Sequence, residues 1–136
     1  MQRVLRIGHR GAAGHAPENT LAAIQKGIAL GVDFVEIDVR RTKDGVLVVL
    51  HDETVNRTTN GKGRVDRLCL RDIEKLNAGN GEHVPTLEEV LKIAAGKAGL
   101  MLELKAEGVA QQTVESVREA GFKAPVIYAS FLHKEL

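Results

Sequence analysis

Three short segments place charge inside strand-like apolar patterns: Val35-Glu36-Ile37-Asp38-Val39, Val48-Val49-Leu50-His51-Asp52 and Leu102-Glu103-Leu104-Lys105. Side chains alternate along an extended chain. Val35, Ile37 and Val39 therefore share one face, and Glu36 and Asp38 the other. Leu100, Leu102 and Leu104 alternate in the same way with Glu103 and Lys105. A strand buried on both faces reads as a near-continuous Val, Ile and Leu run. A buried carboxylate is costly unless it is paired or bound to metal. Charges at the ends of separate strands thus point to a polyvalent site. Glu36, Asp38 and Glu103 are hard oxygen donors suited to Mg2+ or Ca2+. An unperturbed imidazole titrates near neutral pH and suits proton transfer, which singles out His9 and His51. Arg10 and Lys105 suit an anionic substrate, Arg for bidentate phosphate contact. A metal with cations and imidazoles favours phosphoryl chemistry over acyl transfer. There is no G-x-S-x-G elbow, and Gly61-Lys62-Gly63 lacks the P-loop frame.

Structural alternatives stand beside each of these. A strand-end histidine is commonly structural, and Glu36 with Arg40 or Lys105 makes a simple ion pair. Asp44 and Asp52 read as turn and capping residues, and Glu18 and Asn19 as residues that order the first loop and start its helix. Arg57, Arg64, Arg67 and Arg71 read as a solvated face, so Arg57→Ala is expected to be close to neutral. What favours chemistry is coincidence, since all the exceptions sit at equivalent strand ends.

The elements that must position these groups alternate between strand and helix patterns, as in βα units with a parallel sheet. Val4 to Gly8 reads as the first strand, followed by a Gly- and Ala-rich loop from Gly11 to Pro17. Leu21, Ile24, Ile28 and Leu30 mark a helix face, with Gly31 as its stop. Phe34 to Val39 is the second strand, Lys43-Asp44-Gly45 a tight turn, and Val46 to Leu50 the third strand. Residues 52–85 break the rhythm and read as an excursion from that strand. Thr86-Leu87-Glu88-Glu89 matches a capping box. Leu100 to Leu104 is the fourth strand, Val114, Val117 and Ala120 mark another helix face, and Pro125 to Ala129 is the fifth strand. A further helix is expected at the C-terminus. Ligands bind at the C-terminal ends of strands in open α/β sheets and βα barrels. His9, Arg10, Glu36, Asp38, His51, Glu103 and Lys105 would meet at that rim.

Bulk properties exclude several classes. The chain has 136 residues, 43% hydrophobic and 27% charged, in the range of one globular domain. A net charge of +1 and 3% aromatics argue against nucleic-acid or membrane-surface binding. The single cysteine, Cys69, precludes an internal disulfide and a Cys pair for metal, and reads as a buried inert thiol. No apolar run is long enough to span a bilayer. Met1-Gln2-Arg3-Val4 lacks the look of a signal peptide, so a cytoplasmic location is expected.

Taken in order, the motifs resemble the glycerophosphodiester phosphodiesterase family. They are His9-Arg10-Gly11, Pro17-Glu18-Asn19-Thr20, Glu36-Ile37-Asp38-Val39, Thr42-Lys43-Asp44-Gly45, His51-Asp52 and Arg57-Thr58-Thr59. Pro85 to Leu91, Glu103-Leu104-Lys105 and Ser130-Phe131 complete the set. The resemblance implies a TIM-type (β/α) barrel and metal-dependent hydrolysis of glycerophosphodiesters to sn-glycerol 3-phosphate and an alcohol. It implies a divalent cation, Mg2+ or Ca2+, on Glu36, Asp38 and Glu103. It implies His9 and His51 as the acid/base pair, and Arg10 and Lys105 at the phosphate. In that family the substrate's glycerol hydroxyl is thought to attack phosphorus, giving a cyclic phosphate that water opens. The excursion over 52–85 would match a small insertion that helps cover the site. A βα barrel has eight strands and about 250 residues, whereas about five parallel strands are read here. The expectation is therefore a partial barrel that is a fragment or pairs with a second copy through open sheet edges. Alternatives are a non-catalytic binding module of the same family, or a related phosphodiesterase acting on larger phospholipids.

Overall fold

A computed structural model describes residues 4–130. Phe131 and the expected C-terminal helix lie outside them. Ten short elements follow one another along the chain. Strand β1 (Ile7–His9), helix α1 (Leu21–Ala29), strand β2 (Phe34–Arg41) and strand β3 (Leu47–Val49) form the first part. A 3-10 turn at Val65–Arg67 and the one-turn helix α2 (Leu70–Ile73) punctuate the excursion. Helix α3 (Leu87–Ala94), strand β4 (Gly99–Leu104), helix α4 (Ala110–Glu119) and strand β5 (Val126–Ser130) complete the described chain.

The sheet order is β1-β2-β4-β5, with every neighbouring pair parallel. β3 departs from expectation by pairing with β2 antiparallel, Val39 opposite Val49 and Arg41 opposite Leu47. The cause is the connection: the short Thr42-to-Val46 turn allows a hairpin, whereas a parallel return needs a crossover of a dozen or more residues. Thr42 closes this turn, its amide bonding the Val46 carbonyl at 2.9 Å and its Oγ1 accepting from the Val46 amide at 3.0 Å. Four strands are thus parallel, and β3 folds back on β2. β1 pairs with β2 only over Phe34 to Glu36, and β3 takes over at Val39. One edge of β2 is shared end to end by two partners.

The alternation read in the sequence becomes two faces. Val35, Ile37, Val39, Leu100, Leu102 and Leu104 are fully or almost fully buried against the helices, with Ile24, Leu87, Val90 and Leu91 among their neighbours. Burying each such side chain contributes about 1.5–3 kcal/mol. On α4 the buried positions are Thr113 and Val117, while Val114 is exposed. Both α1 and α3 start on threonine caps. Thr20 Oγ1 accepts from the Ala23 amide, and Thr86 forms the full capping box with Glu89. The excursion packs with Val48 of β3 and Leu50 after it into a second apolar cluster, adding Val55, Val65, Ile73, Ala78 and Val84. It is a folded unit, not an irregular loop.

Gly11 sits where the first loop is pressed against α1, at φ +81°. A Cβ there would lie 2.7 Å from the Ala23 carbonyl carbon and 2.8 Å from the Ile24 nitrogen. Gly45 has a similar φ, +86°, with open space around it. Denaturant unfolding should show Gly11→Ala destabilised by about 2–5 kcal/mol, from left-handed strain plus overpacking. Gly45→Ala should lose only the strain, about 1–2 kcal/mol. Equal losses would show that the clash at Gly11 is relieved by movement.

Candidate active site

The register of β2 and β4 determines which groups meet. Asp38 lies directly beside Glu103, and Glu36 precedes Asp38 by one alternation on the same face. β1 sets His9 beside Glu36 on the other side. Glu36, Asp38 and Glu103 each offer a carboxylate oxygen, all within 4.8 Å of one another. Glu36 is 6% exposed and Asp38 1%.

Each carboxylate is oriented by specific partners. The Arg10 amide donates to Glu36 Oε2 at 2.9 Å, and His9 Nε2 lies 3.7 Å from the same oxygen. Arg10 presents that amide from a left-handed backbone, φ +52°. Asn19, also left-handed at φ +56°, donates its side-chain amide to Asp38 Oδ2 at 3.0 Å. Its own backbone amide bonds the Arg10 carbonyl at 2.8 Å. Lys105 Nζ approaches Glu103 Oε1 at 3.1 Å. Asp38 Oδ1 is buried with no hydrogen-bond partner. A cluster of three carboxylates that includes an unpartnered buried oxygen fits a hard divalent cation, and the all-oxygen donor set agrees. Burial, reinforced by the charge of Asp38, pushes the Glu36 carboxyl from its ordinary 4.5 up to about 7.

His51 arrives by an unexpected route. Because β3 runs back along β2, the Leu50 amide bonds the Asp38 carbonyl at 3.0 Å. His51 is thereby returned to the level of the carboxylates by the hairpin, not delivered by a parallel strand end. Arg40, on the same face of β2 as Glu36 and Asp38, does not pair with Glu36. Its guanidinium donates to the His51 carbonyl at 2.7 and 3.0 Å and to the Lys105 carbonyl at 3.2 Å. It pins two candidate residues at once.

The chain of charges beyond His51 gives Arg57 fixed partners, although its side chain is half exposed. Asp52 Oδ1 lies 2.8 Å from His51 Nδ1. Arg57 grips both oxygens of Asp52 and both oxygens of Glu18, and Glu18 also accepts from Arg10 at 3.0 Å. Asp52 is therefore more than a turn residue, and Glu18 and Asn19 do more than start α1. The motif Pro17-Glu18-Asn19-Thr20 was the available signal for them. Arg40 had only its place on the charged face of β2. Arg64 pairs with Asp66 and Glu53 at the surface, as a solvated residue should.

The model of the glycerophosphoryl diester phosphodiesterase family matches residues 9–131, which contain all seven candidate residues. The chain belongs to this family. A glycerophosphodiester phosphodiesterase of Caldanaerobacter subterraneus is 42% identical over 98% of the chain and 60% of its own length. The crystal structure of a family member from Agrobacterium tumefaciens superposes with a TM-score of 0.89 at 40% identity, covering 97% of this chain and 60% of that one. An Oleispira antarctica phosphodiesterase, solved in complex with the product sn-glycerol-3-phosphate, gives a TM-score of 0.83 at 35% identity, over 94% of this chain and 57% of that one. The fold is thus part of the family's TIM barrel, and the chain spans about 60% of the length of these relatives.

The raised Glu36 value fixes the sign of a pH effect. In metal-free protein the folded state holds the Glu36 proton more tightly than the unfolded chain does. The resulting stability is fully present below 4.5 and is lost as pH rises through about 7. Urea unfolding in chelator should show Glu36→Gln less sensitive to pH than the parent across that window, and more stable than the parent at about pH 8. A parent and variant that respond identically to pH would remove Glu36 as the source.

Proposed function

We propose that this chain carries the metal- and phosphate-handling part of a glycerophosphodiester phosphodiesterase site, hydrolysing glycerophosphodiesters to sn-glycerol 3-phosphate and an alcohol. The observation that carries this reading is the convergence of Glu36, Asp38 and Glu103, with an unpartnered buried Asp38 oxygen, beside Arg10 and Lys105. Glu36, Asp38 and Glu103 would hold one divalent cation, Mg2+ or Ca2+. When bound it would supply Lewis-acid stabilisation of phosphoryl oxygens and fix the diester's position.

Arg10 and Lys105 are the cations that meet the phosphate. Arg10 Nε lies 3.7 Å from Asp38, and its Nη1 rests on Glu18, so a phosphate at the carboxylate cluster would lie within the reach of its fork. His9 is largely solvent-exposed at its ring, 70%, with Nε2 3.7 Å from Glu36, whereas His51 is held by Asp52. One imidazole would take the proton from the attacking hydroxyl and the other would return a proton to the leaving alcohol. Residues 52–85 would act as an insertion that covers this rim, a reading supported by Arg57 reaching Glu18 across it. The Oleispira antarctica relative's complex with sn-glycerol-3-phosphate supports the substrate class. Among the described residues no helix is long and apolar enough to cross a membrane.

Incubation with glycerophosphoethanolamine should release glycerol 3-phosphate with added Mg2+ or Ca2+, and chelator should stop it. Glu36→Ala and Glu103→Ala should lose metal binding and turnover together. His9→Ala and His51→Ala should lower turnover by roughly 10²–10⁴-fold with metal affinity retained. Absence of release from folded, metal-binding protein would show that essential substrate contacts lie outside this chain, and would reduce it to a binding module.

A further inference from the structure

We propose that Arg57 is a positioning residue: it locks the His51–Asp52 pair and ties it, through Glu18, to the loop that carries Arg10. The geometry is a double fork on one guanidinium. Nε and Nη2 donate to the two oxygens of Asp52 at 2.9 and 3.0 Å, while Nη1 and Nη2 donate to the two oxygens of Glu18 at 2.7 and 3.1 Å. Such bidentate pairs fix orientation as well as charge. Arg57 is half exposed, at 50%, and a lone surface ion pair of that kind contributes little. Here the backbone beneath it is anchored. Val55 is fully buried in the second apolar cluster, and the Thr59 amide bonds the Val55 carbonyl at 3.1 Å.

The consequence falls on the imidazole. Arg57 hydrogen bonding, followed by that of His51, holds the Asp52 carboxyl well below the usual carboxylate range. An ionised carboxylate only accepts hydrogen bonds. Asp52 Oδ1, at 2.8 Å from His51 Nδ1, therefore keeps the proton on Nδ1 and leaves Nε2 as the exchanging atom. With both Asp52 oxygens gripped, the carboxylate cannot turn away from the ring. The same guanidinium joins the first loop to the excursion, residues 39 apart in sequence. The groups read as proton-transferring and phosphate-binding thus share one rigid strut: Arg10, Glu18, Arg57, Asp52 and His51. The catalytic effect of this strut rests on the phosphodiesterase reading, but its effect on the ring does not.

The test is 15N NMR of histidine-labelled protein in chelator at about pH 8, where an ordinary imidazole is neutral. The parent should show His51 as the Nδ1–H tautomer. Arg57→Ala should shift it toward a mixture richer in Nε2–H, Arg57→Lys should lie between, and Arg71→Ala should match the parent. If Arg57→Ala fails to fold, Arg57→Lys alone decides. An unchanged His51 signal in a folded Arg57 variant overturns the proposal. In active protein, Arg57→Ala should lower kcat roughly 10–100-fold, the scale for losing a group that orients a functional side chain, with KM little changed. Added guanidinium should restore part of it. If the chain shows no turnover, the phosphodiesterase reading of this chain fails while the tautomer measurement still decides the role of Arg57.

Discussion

Parallel pairing of β2 with β4 seats Asp38 beside Glu103 and leaves Glu36 one alternation away, so three like charges converge on the barrel's inner face. Like charges in a dry setting repel, and unpaired they destabilise the fold. The surrounding structure compensates piece by piece. The Arg10 amide and the Asn19 side chain each satisfy one oxygen, both delivered from left-handed backbone that needs the neighbouring chain to hold it. Lys105 answers Glu103. Asp38 Oδ1 is left without a hydrogen-bond partner, as are Arg10 Nε and Asn19 Oδ1 beside it, and the three carboxylates could together hold a metal ion.

Much of this was readable before any coordinates. The alternation in Val35 to Val39 separates core from site, because a strand side chain can face only one of two ways. The capping box at Thr86 also stands where it was read. The direction of β3 differs from the parallel expectation, and the sequence holds the reason. Val46 to Leu50 is apolar in either direction, but a turn as short as Lys43-Asp44-Gly45 cannot lead into a parallel neighbour. Val114 was assigned to the buried face of α4 in place of Thr113, whose hydroxyl is satisfied by the Val109 carbonyl. A hydroxyl bonded to its own helix is buried without cost, and hydrophobicity alone does not show it.

The charged strut was out of reach for a different reason. Periodicity reports on contacts within one element, and Arg57 makes none that matter within its own. Its partners come from loops before α1 and after β3, brought together only by the finished fold. An arginine in a polar, turn-rich stretch is usually solvated, and Arg64 is. Nothing in the composition around Arg57 and Arg64 tells the two apart. Both side chains are about half exposed, and both stand near a buried valine, Val55 or Val65. The difference lies in the partners: Glu18 and Asp52 are mostly buried, whereas Glu53 and Asp66 are exposed.

The second apolar cluster also bears on chain entropy. Asp38 and Glu103 are 65 positions apart, and the connection between their strands passes through the whole excursion. Closing a loose loop costs free energy that rises with its length. Here Val48 and Val84 lie in one cluster, near opposite ends of the excursion. The stretch between them is therefore spanned by its own packing and behaves as a much shorter tether. Loosening that cluster would lengthen the effective loop between β2 and β4. The carboxylates would feel a change in the excursion's interior as a weaker hold of β4 on β2.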